Sequence, residues 1–225
     1  MAKNNTQVTD EARQEVIDAK IAKAQDWLDN NKKYIYYVIG AIVVVALLVL
    51  GYSKLIYQPK AAEAMEQAFP AELNFQNNEF ELALNGDGNV LGFADVIDTY
   101  GKKAGKASYL YAGICELQLG NFQEALGYLK KYNGKEPILA ARAKACEGDA
   151  YVGLENYSAA VKCYEAAMAK GDNMLAAPYC VKAGLAYEKL GDNAKALECY
   201  KTVKDRYPQS VEAYDIDRYI SRIGE

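Results

Sequence analysis

From Tyr34 to Tyr52 the chain reads Tyr-Ile-Tyr-Tyr-Val-Ile-Gly-Ala-Ile-Val-Val-Val-Ala-Leu-Leu-Val-Leu-Gly-Tyr, and no charged residue stands between Lys33 and Lys54. A run of this length matches the roughly 20 apolar residues that carry an α-helix across the hydrocarbon of a bilayer. Tyr34, Tyr36 and Tyr37 at one end and Tyr52 and Tyr57 at the other are placed like interfacial aromatic belts. Lys32, Lys33 and Lys54 can lift their ammonium groups to the headgroups. The expectation is a transmembrane helix over residues 34–57. The run is longer than the apolar region of a cleaved signal peptide and is preceded by 33 residues. Ala62-Glu63-Ala64 has the form of a cleavage site but lies past both the run and Pro59. A retained anchor is therefore expected.

Flanking charge sets its direction. Lys20, Lys23, Lys32 and Lys33 precede the run, against Lys54 and Lys60 in an equal stretch after it. Cationic flanks stay on the cytoplasmic side, so the expected location is a bacterial inner membrane, with residues 1–33 cytoplasmic and the C-terminal domain periplasmic.

The rest of the composition excludes several kinds of chemistry. Histidine is absent, which removes the usual general base, the Ser-His and Cys-His nucleophile pairs and the commonest metal ligand. Cys115, Cys146, Cys163, Cys180 and Cys199 form no C-x-x-C pair and read as small core residues. A net charge of -4 offers no basic field for nucleic-acid phosphates. No enzyme activity, cofactor, metal or nucleic-acid partner is expected.

Ahead of the anchor, Ile17, Ile21, Ala24 and Leu28 recur at helical spacing, which predicts an amphipathic helix over residues 9–30 with Thr9 as its N-cap. Its apolar face suits a partner or the membrane surface. After Pro59, where the helix is expected to break or bend, the chain becomes Ala-rich and helical in period.

Three segments of that region align without gaps: Gly120-Asn-Phe-Gln-Glu-Ala-Leu-Gly-Tyr-Leu129, Glu155-Asn-Tyr-Ser-Ala-Ala-Val-Lys-Cys-Tyr164 and Gly191-Asp-Asn-Ala-Lys-Ala-Leu-Glu-Cys-Tyr200. Their spacing is the period of tetratricopeptide repeats, each segment marking a turn and the start of a second helix. Small residues at Gly113, Gly148 and Gly184, and at Ala125, Ala160 and Ala196, permit close helix approach. Leu129, Tyr164 and Tyr200 fill the space between neighbouring helices. The fold class expected is all-α: one transmembrane helix followed by a tetratricopeptide α-solenoid. Residues 58–105 are assigned to a divergent N-terminal helix pair. Residues 106–225 hold the repeats, with Pro208 ending the third and Val211 to Ile223 forming a closing helix with Tyr214, Tyr219 and Ile220.

Stacked helix pairs leave a concave face that serves for binding. By repeat phase it is lined by Leu110, Ile114, Leu117, Gln118, Arg142, Asp149, Val152, Val181, Leu185, Glu188 and Lys189. Asn85, Asp87 and Asn89 resemble the first half of a calcium loop, but Val90 and Val96 occupy the positions of the required glycine and bidentate glutamate. That stretch is read as a turn with Asn89 capping the next helix.

With anchor and repeats in place, the layout resembles the YfgM family of membrane-anchored tetratricopeptide proteins, ancillary subunits of the Sec translocon. Leu82-Ala-Leu-Asn-Gly-Asp-Gly-Asn-Val-Leu-Gly-Phe93, Tyr111-Ala-Gly-Ile-Cys-Glu-Leu-Gln-Leu-Gly120 and Lys182-Ala-Gly-Leu-Ala-Tyr-Glu-Lys-Leu-Gly191 look like the Bacteroidetes members of that group. The resemblance implies a non-enzymatic adaptor held beside the SecYEG translocon. It also implies cooperation with a PpiD-like membrane-anchored chaperone and contact with secretory client polypeptides. The competing expectation is a cytosol-facing repeat receptor or a scaffold of another membrane complex.

Overall fold

A computed structural model describes the backbone of residues 3–171 and 174–224 and the side chains of residues 14–171 and 175–224. The described chain is helical with connecting turns, and it divides into two compact units, Met1–Gln58 and Pro59–Glu225.

The first unit is one helix, α1 (Lys3–Tyr52), followed by a π-turn at Ser53–Tyr57. Its central stretch is long and apolar enough to cross a membrane. Residues 36 to 50 are all exposed among the described residues, including Ile39, Ile42, Leu47 and Leu50. Two expectations change here. Thr9 lies inside α1 rather than capping a separate helix, because the helix is already formed at Lys3; the Thr9 side chain lies outside the described residues. Pro59 does not break the helix either. It sits at the second position of α2 (Gln58–Gln76), directly after the π-turn. A proline ring collides with the carbonyl four residues back, and a turn wider by one residue gives it room.

The second unit contains α2 from Pro59 onward, then α3 (Phe80–Asn85), α4 (Phe93–Tyr100), α5 (Lys106–Gln118) and α6 (Phe122–Leu129). These are followed by α7 (Pro137–Gly153), α8 (Tyr157–Met168), α9 (Ala177–Lys189), α10 (Asn193–Arg206) and α11 (Ile216–Gly224). The pairs α5/α6, α7/α8 and α9/α10 are the three repeats. Each A helix ends in the same turn, with Gly120, Glu155 and Gly191 at φ of 83°, 58° and 76°. The next residue returns its N–H to a carbonyl five positions back: Asn121 to Glu116, Asn156 to Tyr151, Asp192 to Tyr187. This is the Schellman closure of a helix C-terminus. Asn156 and Asp192 then cap α8 and α10 by accepting from Ala159 N and Lys195 N. Glu155 is the one non-glycine in this left-handed position among the three repeats, and it bears the Cβ clash that glycine avoids. Glu155→Gly is expected to raise unfolding stability by about 1 kcal/mol, read as a higher urea midpoint at unchanged slope.

The same turn occurs a fourth time. Asn78 has φ 62°, Asn78 N donates to Phe75 O, and Glu79 N donates to Asn74 O. Asn78-Glu-Phe-Glu-Leu-Ala-Leu84 therefore aligns with Gly120-Asn-Phe-Gln-Glu-Ala-Leu126, and Ala83 and Leu84 are buried as Ala125 and Leu126 are. The helix pair of residues 58–105 thus shares the turn of the three repeats and diverges from them in its second helix. Its second helix is split into α3 and α4 by the loop from Gly86 to Gly92. Asp87 Oδ1 accepts from Asn89 N and Val90 N, which holds that loop as a tight polar turn. Gly92, not Asn89, stands at the start of α4. Phe75, Phe93 and Tyr111 pack ring against ring beneath it, with centroids 4.9 Å apart for Phe75 and Tyr111 and 5.5 Å for Phe93 and Tyr111.

At the other end α10 stops at Arg206 before Pro208, as the repeat phase requires. The closing segment is shorter than its sequence suggests: Val211–Asp215 is a 3₁₀ turn, and α11 starts at Ile216. Ile216 is the buried anchor, Tyr219 packs on Tyr200 with centroids 5.2 Å apart, and Tyr214 is 90% exposed.

Candidate functional site

The A and B helices of each repeat approach closely where a glycine faces a large side chain. A Cβ built on Gly113 meets Leu129 Cγ at 2.6 Å, and one on Gly148 meets Tyr164 Cε1 at 2.5 Å. One on Gly184 collides with the ring of Tyr200. Leu129, Tyr164 and Tyr200 are all essentially buried. The two tyrosines pass through to the other side of this contact. There the Tyr164 hydroxyl donates to Asp149 Oδ1 at 2.8 Å, and the Tyr200 hydroxyl donates to Glu188 Oε1.

Each carboxylate is then shared with the following unit. Lys182 of α9 holds both oxygens of Asp149, at 2.8 and 2.7 Å. Arg222 of α11 holds both oxygens of Glu188, at 2.6 and 2.8 Å. Tyrosine, carboxylate and cation thus form two chains, the first tying the second repeat to the third and the second tying the third repeat to the closing helix α11. The cations are 41% and 51% exposed, so each pair adds at most about 1 kcal/mol. Their value lies in fixing geometry. Burial, reinforced by Asp149, pushes the Tyr164 hydroxyl far above the ordinary phenol range, and burial with the Glu188 hydrogen bond does the same for Tyr200. Both remain donors throughout the physiological range.

Above these chains lies an open groove of about 490 Å³ formed by α7, α8, α9 and α11. Asp149, Val152, Leu185, Glu188 and Lys189, all expected from repeat phase, line it together with Tyr157, Tyr164, Lys182 and Arg222. Val152 and Leu185 are exposed apolar side chains on its walls, at 36% and 39%.

The other expected lining residues lie elsewhere. Leu110 and Ile114 are buried, at 1% and 4%, in a cluster with Leu129, Ala143 and Cys146. The ridge they occupy on α5 is covered by α6 and α7, so they are core residues rather than groove residues. Leu117 is half-buried against the same cluster, and Val181 against the C-terminal one. Gln118 and Arg142 are exposed but stand outside the groove.

A second cavity, of about 550 Å³, opens between α8, α9 and α10 beside Met168, Cys180 and Cys199. Burial pushes the Cys180 thiol up to about 11 and the Cys199 thiol up to about 12. These are protonated thiols without nucleophilic activation. Cys146 and Cys115 follow the same pattern, at about 11 and about 12. Cys115, Cys146 and Cys180 are buried core residues, whereas Cys163 and Cys199 are partly exposed.

The groove pairs the exposed apolar side chains of Val152 and Leu185 with the charged groups of Asp149, Lys182, Glu188, Lys189 and Arg222. A tetratricopeptide repeat family model matches residues 181–210, which cover most of α9, the Gly191 turn and α10. No curated protein matches the sequence. Two solved structures of the MamA protein are similar in fold. One has 20% identity and a TM-score of 0.54, covering 73% of this chain and 86% of that one. The other has 19% identity and a TM-score of 0.51, covering 68% of this chain and 91% of that one. The chain is an all-α protein built on tetratricopeptide-like helical repeats, a fold suited to binding other proteins.

Proposed function

We propose that this chain is a non-enzymatic, single-pass membrane adaptor whose groove over α7, α9 and α11 receives a partner chaperone or an extended client segment beside the Sec translocon. The observation that carries the reading is one helix with an uncovered apolar stretch of membrane length, joined in sequence to a binding fold. Four lysines before that stretch against two after it support a periplasmic repeat domain. The family resemblance supports SecYEG and a PpiD-like chaperone as partners.

Anchoring contributes to affinity. Two partners confined to one membrane meet at a raised effective concentration, so a groove of modest intrinsic affinity stays occupied.

Sidedness and partnership are tested separately. Protease added to intact spheroplasts is expected to digest the chain beyond Pro59, and full protection there would mean a cytosol-facing receptor instead. Co-purification in mild detergent is expected to recover SecYEG or a PpiD-like chaperone. Leu185→Asp puts a charge on the apolar wall of the groove and is expected to lower that recovery by about tenfold while leaving the fold intact. Unchanged recovery by the Leu185→Asp protein would place the binding surface elsewhere.

A further inference from the structure

The stack of helix pairs is closed by α11 at its C-terminal end, whereas α2 at its start carries an apolar face that the described residues leave exposed. Counting back five residues from each left-handed turn places Leu73 of α2 in register with Cys115, Ala150 and Ala186. Those three are buried, at 0%, 0% and 2%, in clusters shared with the preceding unit. Leu73 is 43% exposed, and Phe69 and Met65, four and eight residues before it, are 58% and 70% exposed. On a 3.6-residue helix these three form one stripe, with Glu66 along one edge and Glu72 along the other. The stripe is distinct from the buried face of α2, which Ala64, Ala68 and Ala71 form. A terminal unit of a repeat stack ordinarily turns a polar face outward, and an apolar face with a charged rim marks a contact with another molecule.

Charge selects the occupant. Residues 61–100 hold eight carboxylates and no lysine or arginine, a charge of -8 against -4 for the whole chain. Seven of the eight are exposed and Glu72 is half-buried, and none joins an ion pair among the described residues. We propose that the open face of α2 docks a basic amphipathic helix of another protein. Its apolar side chains, at helical spacing, lie on Met65, Phe69 and Leu73, and its lysines or arginines stand beside Glu66 and Glu72. A helix is the shape the position accepts in the later units, where α3 and α4 pack on α5, α6 on α7, and α8 on α9.

The same charge disfavours the competing occupants. A second copy presenting the same face brings eight carboxylates against eight, and an anionic lipid surface repels them in the same way. The apolar face of α1 ahead of the hydrophobic run does not supply the complement either, because residues 14–33 carry four cations and four carboxylates. A partner helix rich in lysine or arginine meets opposite charge along both edges of the stripe. The stripe belongs to α2, not to the groove over α7, α9 and α11, so docking here is independent of what that groove binds.

Photo-crosslinking of the full chain in the cells that make it tests the proposal. Benzoylphenylalanine replaces Phe69 or Leu73 on the stripe, or Gln67, which is exposed on the other side of α2. After illumination the adducts are resolved by mass and the linked peptide is sequenced. The two stripe positions are expected to give at least about five times the adduct found at position 67, linked to a segment of net positive charge with apolar residues at helical spacing. Glu66→Lys combined with Glu72→Lys is expected to lower that adduct at least about fivefold, because it sets like charges against the partner. Glu66→Gln combined with Glu72→Gln should fall between the two, which separates loss of charge from loss of fold. An adduct of twice the 24.8 kDa chain mass would identify a second copy and overturn the proposal. So would the absence of any protein adduct, equal adduct at position 67, a linked segment that is neutral or acidic, or an adduct unchanged by the two lysines.

Discussion

Replacing Tyr164 by alanine is expected to destabilise the repeat unit by about 3–5 kcal/mol, the range for emptying a large aromatic side chain from a core. Tyr164 is 2% exposed, and its ring lies where a Cβ on Gly148 would be, so the ring is what holds α7 to α8. Its hydroxyl also orients Asp149, which Lys182 ties to the next repeat. Tyr164→Phe keeps the ring and loses only the hydroxyl bond, at a cost of about 1 kcal/mol. Urea unfolding of the detergent-solubilised chain, followed by circular dichroism, should rank the wild type first, phenylalanine slightly below it and alanine far below. Gly148→Ala is expected to cost about 1–3 kcal/mol by overpacking the same contact, and less in the Tyr164→Ala background, where the added methyl enters an empty space. Equal stability of the alanine and phenylalanine proteins would show that packing at this contact is dispensable. Stacked repeats are stabilised by their interfaces, so a loss here also loosens the groove that both repeats form.

The sequence made the repeats legible because three turns carry the same chemistry at regular spacing, and the structure turns that regularity into one hydrogen-bond pattern. The fourth turn escaped notice for a physical reason. Gly86 to Gly92 interrupts its second helix and lengthens the interval from Asn78 to Gly120, so the period fails although the local pattern Phe-x-x-Ala-Leu is intact. Helix phase also identified which face of each A helix is special, but not which parts of that face a neighbour covers. Leu110 and Ile114 share the phase of groove residues and are buried because α6 and α7 close over α5. Lys182 and Arg222 carry no recognisable signal, since their roles depend on carboxylates 33 and 34 residues earlier in the chain. A partial signal was available: a tyrosine nine residues after the turn in two repeats, where the first has leucine. The Thr9 cap and the Pro59 break were local rules overridden by the continuity of a long helix, which absorbs the proline through a π-turn.

The second large effect is expected at the proposed anchor. Val44→Asp combined with Leu47→Asp places two carboxylates at the centre of the apolar run, each costing about 2.5–3.5 kcal/mol on insertion and together about 5–7 kcal/mol. The residues on either side are then too few to span hydrocarbon alone. After alkaline carbonate extraction the wild-type chain is expected in the pellet and the double variant in the supernatant. Val44→Leu should remain with the wild type, because it changes shape without charge. A double variant retained in the pellet would mean that another part of the chain holds the membrane. The released protein permits a further separation of causes. Pro59–Glu225 is a compact unit with its own cores, so its groove should survive the loss of the anchor. Partner recovery from cells is then expected to fall even though the groove residues are untouched. Under the proposed function, the size of that fall measures how much of the binding comes from confinement to one membrane and how much from Val152, Leu185 and their neighbours.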